Sequence, residues 1–269
     1  MHLPGPGLSR FAIFTAVLTL ILIALGAVAG GAGTDPLLLS LSRYHVYLAL
    51  AVGAMTAVLL VWVAPANIPA WVRGTGWIAV ALYAIDSLIM AWTATPPVDA
   101  PLAIPHAIVA PLFFASIVVI AYYSQLDWIN PQESVDFSAW PMIPMAALAA
   151  PFLVILQISL GAAYRHKVFS VLPHMAGAMV VTLVLLVLCV VLLQHFPAHA
   201  TLRPLAIAAM SALLLQVTLG IGAFVMRLLD FDTMPGFDYL AASHVCVGAL
   251  TLAASVVLCI EVRRIGSRS

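Results

Sequence analysis

Charge is what this sequence has least of. Only 7% of its 269 residues are Asp, Glu, Lys or Arg, where a soluble domain carries roughly 25%. Hydrophobic residues make up 64% and the mean hydropathy is +1.15. That imbalance excludes a water-soluble globule. A surplus of either sign is missing too: ten basic residues match ten acidic ones, for a formal net charge of +0. Nucleic acid and anionic lipid surfaces, which need a basic patch, are not indicated partners. Cysteine is scarce. Cys189, Cys246 and Cys259 all fall within apolar runs, so no outer-loop disulfide is available, and the plain reading of each is a small buried hydrophobe.

The apolar residues come in runs of about twenty, the length that crosses a hydrocarbon core roughly 30 Å thick. In lipid each backbone N–H and C=O must be bonded internally, which leaves helices or closed barrels. Barrel strands would be shorter and would alternate. The sequence therefore predicts an all-α membrane protein with eight transmembrane helices. Their expected spans are Phe11–Gly30, Tyr44–Ala64, Trp77–Thr93, Pro105–Tyr123, Ile143–Ala163, Pro173–Phe196, Pro204–Met226 and Ala241–Val262. The first run is longer than the ~7–15 residues of a signal-peptide core and reads as a helix. With the N-terminus inside, Arg10, Arg73, Arg203, Arg263, Arg264 and Arg268 fall on the inner face. Arg43, Arg165, Lys167 and Arg227 fall on the outer face. The excess inside, concentrated in the C-terminal tail, favours both termini inside.

The longest inner loop, Ser124–Pro141, carries Asp127, Asn130, Pro131, Glu133 and Asp136. It divides the chain into two four-helix halves, residues 1–125 and 142–269, with 126–141 as a linker on the cytoplasmic side. A repeat crosses this division. Gln157-Ile-Ser-Leu-Gly161-Ala in the fifth span matches Gln216-Val-Thr-Leu-Gly220-Ile in the seventh, and Leu22-Ile-Ala-Leu-Gly26-Ala in the first is a weaker copy. The expected architecture is two pseudo-symmetric four-helix bundles, repeated in parallel about an axis along the membrane normal. Gln and Gly four residues apart share a helix face. Gly there admits a neighbouring helix or a flat cofactor, and simple small-residue packing is the alternative.

Four of the eight histidines occupy matching places. His45, His106, His174 and His244 stand at or near the starts of the second, fourth, sixth and eighth spans, hence at one level toward the outer face. His2, His166, His195 and His199 fall in the terminus and loops and read as solvated. Ionisable side chains within membrane spans are rare and mark function by default. A pair of imidazoles at one height supplies the two axial ligands of a haem iron, and the repeat pairs His45 with His106 and His174 with His244. Zinc or copper would need further ligands, and no Cys or carboxylate adjoins these residues in the helix starts. Arg43, Arg165, Lys167 and Arg227 lie near that level, as candidate partners of haem propionates or as snorkelling interfacial residues.

Gln157–His166 (QISLGAAYRH), its echo Gln216–Gly220, His174-Met-Ala-Gly-Ala and His244-Val-Cys-Val-Gly-Ala-Leu together resemble the haem A synthase family of oxidase-assembly proteins. The likeness spans nearly the whole chain and is more specific in its second half. It implies eight helices in two halves and oxidation of a ring methyl of haem O to the formyl group of haem A. By the same resemblance His174 and His244 would ligate a resident haem b, with Arg165, Gln157 and Gln216 beside it. His45 and His106 would flank the substrate, haem O, as catalytic residues. Implied partners are the haem substrate, membrane lipid, an electron donor such as a quinol, and a haem O synthase, in a bacterial cell membrane. The chain departs from the family at Ser42, where a Glu is usual, and in residues 31–41, which lack a cysteine pair. Asp35 is the acid in that loop.

Asp86, midway along the third span, is either part of a polar cavity or proton path or an internally bonded structural acid. Three functions accommodate the histidines: a haem-oxidising enzyme, a di-haem b-type electron-transfer cytochrome, and a haem-handling assembly partner without redox chemistry. The length of the resemblance favours the enzyme.

Overall fold

The computed structural model describes residues 6–29, 36–64, 68–93, 103–125, 134–232 and 234–266. Eight helices account for nearly all of them: α1 Pro6–Ala29, α2 Pro36–Val63, α3 Ala70–Thr93, α4 Ala103–Tyr123, α5 Met142–Arg165, α6 Val171–His195, α7 Leu202–Leu228 and α8 Pro235–Gly266. No strand occurs among the described residues. All eight are long and apolar enough to cross a membrane, as the sequence predicts. The chain is an all-α membrane protein.

Several helices begin earlier than the hydrophobic runs. α2 starts at Pro36 rather than Tyr44, α3 at Ala70 rather than Trp77, and α8 at Pro235 rather than Ala241. Backbone hydrogen bonding continues past the end of the apolar stretch, so hydropathy misses the projecting turns. Three helices open on a proline (Pro6, Pro36, Pro235), whose absent N–H costs nothing at a helix start.

Hydroxyls within the spans are satisfied locally. Thr15, Thr19, Thr56, Ser124, Ser159, Thr218 and Thr251 each donate to the carbonyl four residues back, which removes the desolvation penalty of a lone O–H in lipid. α5 and α7 end in the same motif. Lys167 and Asp230 adopt positive φ, 60° and 58°. Val168 N–H bonds Ala163 O at 2.8 Å and Phe231 N–H bonds Met226 O at 2.8 Å. These are Schellman closures without the usual glycine, placed alike in the two helices that carry the Gln-x-x-x-Gly repeat.

Each half closes on itself. α1 packs on α2 and α4, and α3 joins α2 to α4; in the same way α5 packs on α6 and α8, and α7 joins α6 to α8. The seam is formed by α8 against α1 and α4, and by α4 against α5. A central cluster of Ile23, Phe114, Val154, Leu185, Leu213 and Leu252 fills it. α8 is the axis of the molecule, with 67% of its span inside the protein against 11% for α3, which faces lipid. At the end opposite the four histidines, Glu261 is buried and accepts from Arg264 Nη1 at 2.6 Å, while Arg264 lies 5.1 Å from the Tyr123 ring centroid. This ties α8 to the end of α4, and so one half to the other.

Candidate functional site

The four histidines lie at one end of the bundle, because each is bonded by the second half of the helix before it. His45 and His244 sit more than two turns inside α2 and α8, while His106 and His174 lie in the first turns of α4 and α6. Exposed Tyr44, Tyr47, Trp92 and Tyr239 rim this end, and Trp62, Trp71 and Trp77 the other, as aromatic side chains do at the two interfaces of a membrane.

A repeated device holds three of the rings. A Cβ on Gly26 would come within 2.8 Å of His45 Cε1; on Gly161, within 2.9 Å of His174 Cε1; on Gly220, within 2.9 Å of His244 Cε1. Each ring therefore lies directly on the backbone of the preceding helix, an approach only glycine permits. The residue one turn before each glycine completes the grip. His45 Nδ1 lies 3.1 Å from Leu22 O, and His244 Nδ1 lies 3.1 Å from Gln216 O. Gln157 acts through its side chain: its Nε2 lies 3.0 Å from His174 Nδ1 and donates to His174 O at 2.8 Å. A carbonyl accepts only from N–H, so at His45 and His244 Nδ1 carries the proton and Nε2 the lone pair. Gln216 Nε2, 3.3 Å from His244 Nε2, donates to it.

The fourth histidine is held differently. His106 Nδ1 lies 2.8 Å from Asp86 Oδ1, with the two side chains 26% and 19% exposed. Asp86 is thus neither isolated nor bonded to a hydroxyl or carbonyl. The first half thus has an acid at one of its two histidines, His106, while His45 is held by a backbone carbonyl.

In the second half the His174 and His244 rings lie edge to face, with centroids 6.3 Å apart and planes at 84°. Two imidazoles on opposite sides of one metal, with metal–nitrogen bonds of about 2.0 Å and ring radii of about 1.15 Å, place their centroids about 6.3 Å apart. The observed separation fits that arrangement. Gln157 Oε1 and Gln216 Oε1 are buried without a hydrogen-bond partner among the described residues, two acceptors left beside the second-half histidines. Among the described residues no three His, Cys, Asp or Glu side chains converge. Each pair offers two nitrogens, which suits a metal whose other positions are filled by a macrocycle.

Two of the four cations near this level, Arg165 and Arg227, have protein partners. Arg165 Nη2 donates to Ala27 O at 2.6 Å across the seam between halves. Arg227 sits 4.0 Å from Asp232 and 5.2 Å from the Tyr164 ring centroid. Lys167 forms the left-handed end of α5, and Arg43 is exposed on α2. His166, just beyond α5, has its pKa lowered by burial, by Arg165 and by His106, so it borders the first-half site.

One reading from sequence is corrected. His199 is not solvated: it is 8% exposed, and its Nδ1 accepts from Thr201 N–H and Leu202 N–H at 3.2 Å each, capping the start of α7. His195 is exposed as expected but stacks on Trp140, with centroids 3.9 Å apart. The buried Glu261 was overlooked, although the spacing Glu261-x-x-Arg264 near the end of α8 signals an ion pair on one helix face. His2, Asp35, Asp127, Asn130, Pro131, Glu133, Arg268 and the glycines 30, 31 and 33 lie outside the described residues.

No protein-family model and no curated protein matches this chain.

Proposed function

We propose that this protein is a haem-binding membrane oxidoreductase of the haem A synthase type, which oxidises the methyl group of haem O toward the formyl of haem A. The observation that carries the haem reading is the His174–His244 pair, whose ring centroids stand at the separation a bis-imidazole metal needs, with each ring resting on a glycine of the preceding helix. In this reading His174 and His244 hold a haem b, which supplies one-electron transfer when bound. His45 and His106 flank the substrate haem. The Gln157 and Gln216 amides stand beside the second-half ligands and orient them. The Gln216 amide yields His244 Nε2 to the metal. Enzymatic oxidation, rather than electron transfer alone, is supported by the inequality of the two pairs, since among the described residues a carboxylate bonds a histidine of the first pair and none bonds the second. The resemblance of Gln157–His166 and His244–Leu250 to the family points the same way.

The test is to purify the protein, extract its haems and identify them by mass, with and without supplied haem O. Haem B together with oxidised products of haem O is the expected result. Haem B alone, with haem O returned unchanged, would assign the protein to electron transfer. No haem at all would overturn both.

A further inference from the structure

The four ligand-supporting helices share a register that the first half breaks once. On α1 and α7 the residue one turn before the glycine, Leu22 or Gln216, turns its backbone to the histidine of the next helix, and on α5 Gln157 meets the ring with its side-chain amide. On α3 that slot is Asp86, and Met90 takes the place of the glycine. Without a glycine the ring of His106 has no bare backbone to rest on. The side chain of Asp86 reaches out and makes the Nδ1 bond instead, at 2.8 Å.

We propose, building on the haem reading above, that Asp86 is a positioning residue for His106 that makes it a stronger electron donor than the other three histidines. A neutral carbonyl behind Nδ1–H fixes ring orientation and tautomer. A carboxylate does both and also draws the Nδ1 proton toward itself, which raises the electron density at Nε2. Such carboxylate-backed imidazoles are more basic ligands, and removing the carboxylate typically costs 10–100-fold in metal affinity. A more basic axial ligand stabilises the oxidised metal and pushes electron density onto what is bound opposite. The first half is thereby set apart for oxidative chemistry. The second half, whose ligands are backed by a carbonyl and amides, is the site that stores and passes electrons. A purely structural Asp86 would leave the metal's electronic properties unchanged when replaced by its isostere.

The experiment uses the full-length protein loaded with iron protoporphyrin IX, titrated electrochemically as wild type, Asp86→Asn, Asp86→Glu and Asp86→Leu. Asp86→Asn should move one haem's midpoint upward by at least a tenfold change in its reduction equilibrium, ~59 mV for one electron, and leave the other in place. Asp86→Glu should restore the wild-type value. Asp86→Leu, which copies the Leu22 slot, should keep the fold and shift the same midpoint. If wild type binds no bis-histidine haem, the haem reading itself fails. If haem binds normally but Asp86→Asn moves neither midpoint, or moves both alike, the haem reading stands and the role given to Asp86 is wrong.

Discussion

The second half holds both of its histidines by the same means, while the first half holds its two by different means. His174 and His244 rest on Gly161 and Gly220 and are each met by the amide of a Gln one turn earlier, Gln157 or Gln216. His45 rests on Gly26 and bonds Leu22 O, but Leu22 has no amide to add. His106 relies on the carboxylate of Asp86. One helical register thus serves two designs. Where glycine and amide hold both rings, the two sides of the site are alike and neutral. Where a lone carbonyl holds one ring and a carboxylate the other, the two sides differ electrically.

The strongest way to break this comparison is to remove ligands from one half at a time. His174→Ala or His244→Ala should abolish most of the low-spin b-type absorption of the purified protein. His45→Ala should leave that absorption largely intact while eliminating oxidised haem products. Full retention of the spectrum in both second-half variants would end the axial assignment. Loss of the resident haem in His45→Ala would end the division between halves.

The halves are also tied together away from the histidines. Glu261 is fully buried and depends on Arg264. Removing one partner of a buried pair leaves an uncompensated charge, at a cost of ~3–5 kcal/mol. Arg264→Leu should therefore lower the thermal midpoint in detergent sharply, with haem release and helix loss coinciding. Glu261→Gln with Arg264→Leu together should recover much of the loss. Two separated transitions in Arg264→Leu would mean that the halves unfold independently.

A smaller effect comes from the glycines under the rings. Adding a methyl at Gly161 or Gly220 forces the imidazole or the helix to shift, a strain of ~1–3 kcal/mol. Gly161→Ala and Gly220→Ala should each weaken haem retention in the second half. Gly26→Ala should spare that haem and reduce product formation. Equal loss of the resident haem in all three variants would show that the glycines act on bundle packing rather than on their own histidines.

Much of this arrangement was legible in the sequence, because lipid leaves few choices. Runs of apolar residues become helices, and an even number of them returns each matching histidine to one end. The Gln-x-x-x-Gly repeat pointed to the second-half histidines because the same two residue types contact both rings. The contact between Asp86 and His106 was not legible, because the slot it fills varies in residue and in means: Leu22 acts through its carbonyl, Gln157 through its amide and Gln216 through both. Asp86 does the job with its side chain, so no string comparison aligns it with them. Helix starts were misplaced at α2, α3 and α8 for a related reason, since hydropathy marks where lipid begins and not where backbone bonding does. His199 looked solvated because a loop position says nothing about whether a ring folds back to cap the next helix.

Arg165 offers the finest division between the halves, and two readings of it can be separated. As a propionate partner it would serve the second-half haem. In the structure its guanidinium instead donates to Ala27 O at 2.6 Å, beside the Gly26 that supports His45. The carbonyls in the last turn of α1 lack helical partners and carry the negative end of the helix dipole, so a cation from α5 is well placed to clasp them. Arg165 is exposed, and a charge-assisted bond there is worth ~1 kcal/mol once solvent screening is counted. Arg165→Ala should lower the melting temperature slightly and leave the second-half haem spectrum and affinity unchanged. Raising the salt separates the alternatives further. A propionate ion pair weakens as the Debye length falls from ~10 Å at 0.1 M to ~3 Å at 1 M, whereas a bond to a neutral carbonyl responds much less. Wild-type haem release that quickens with salt, and an Arg165→Ala variant that loses this dependence, would identify a propionate anchor. Salt-independent release in both proteins, with only the melting temperature reduced in the variant, is the result expected of a clasp between the two halves.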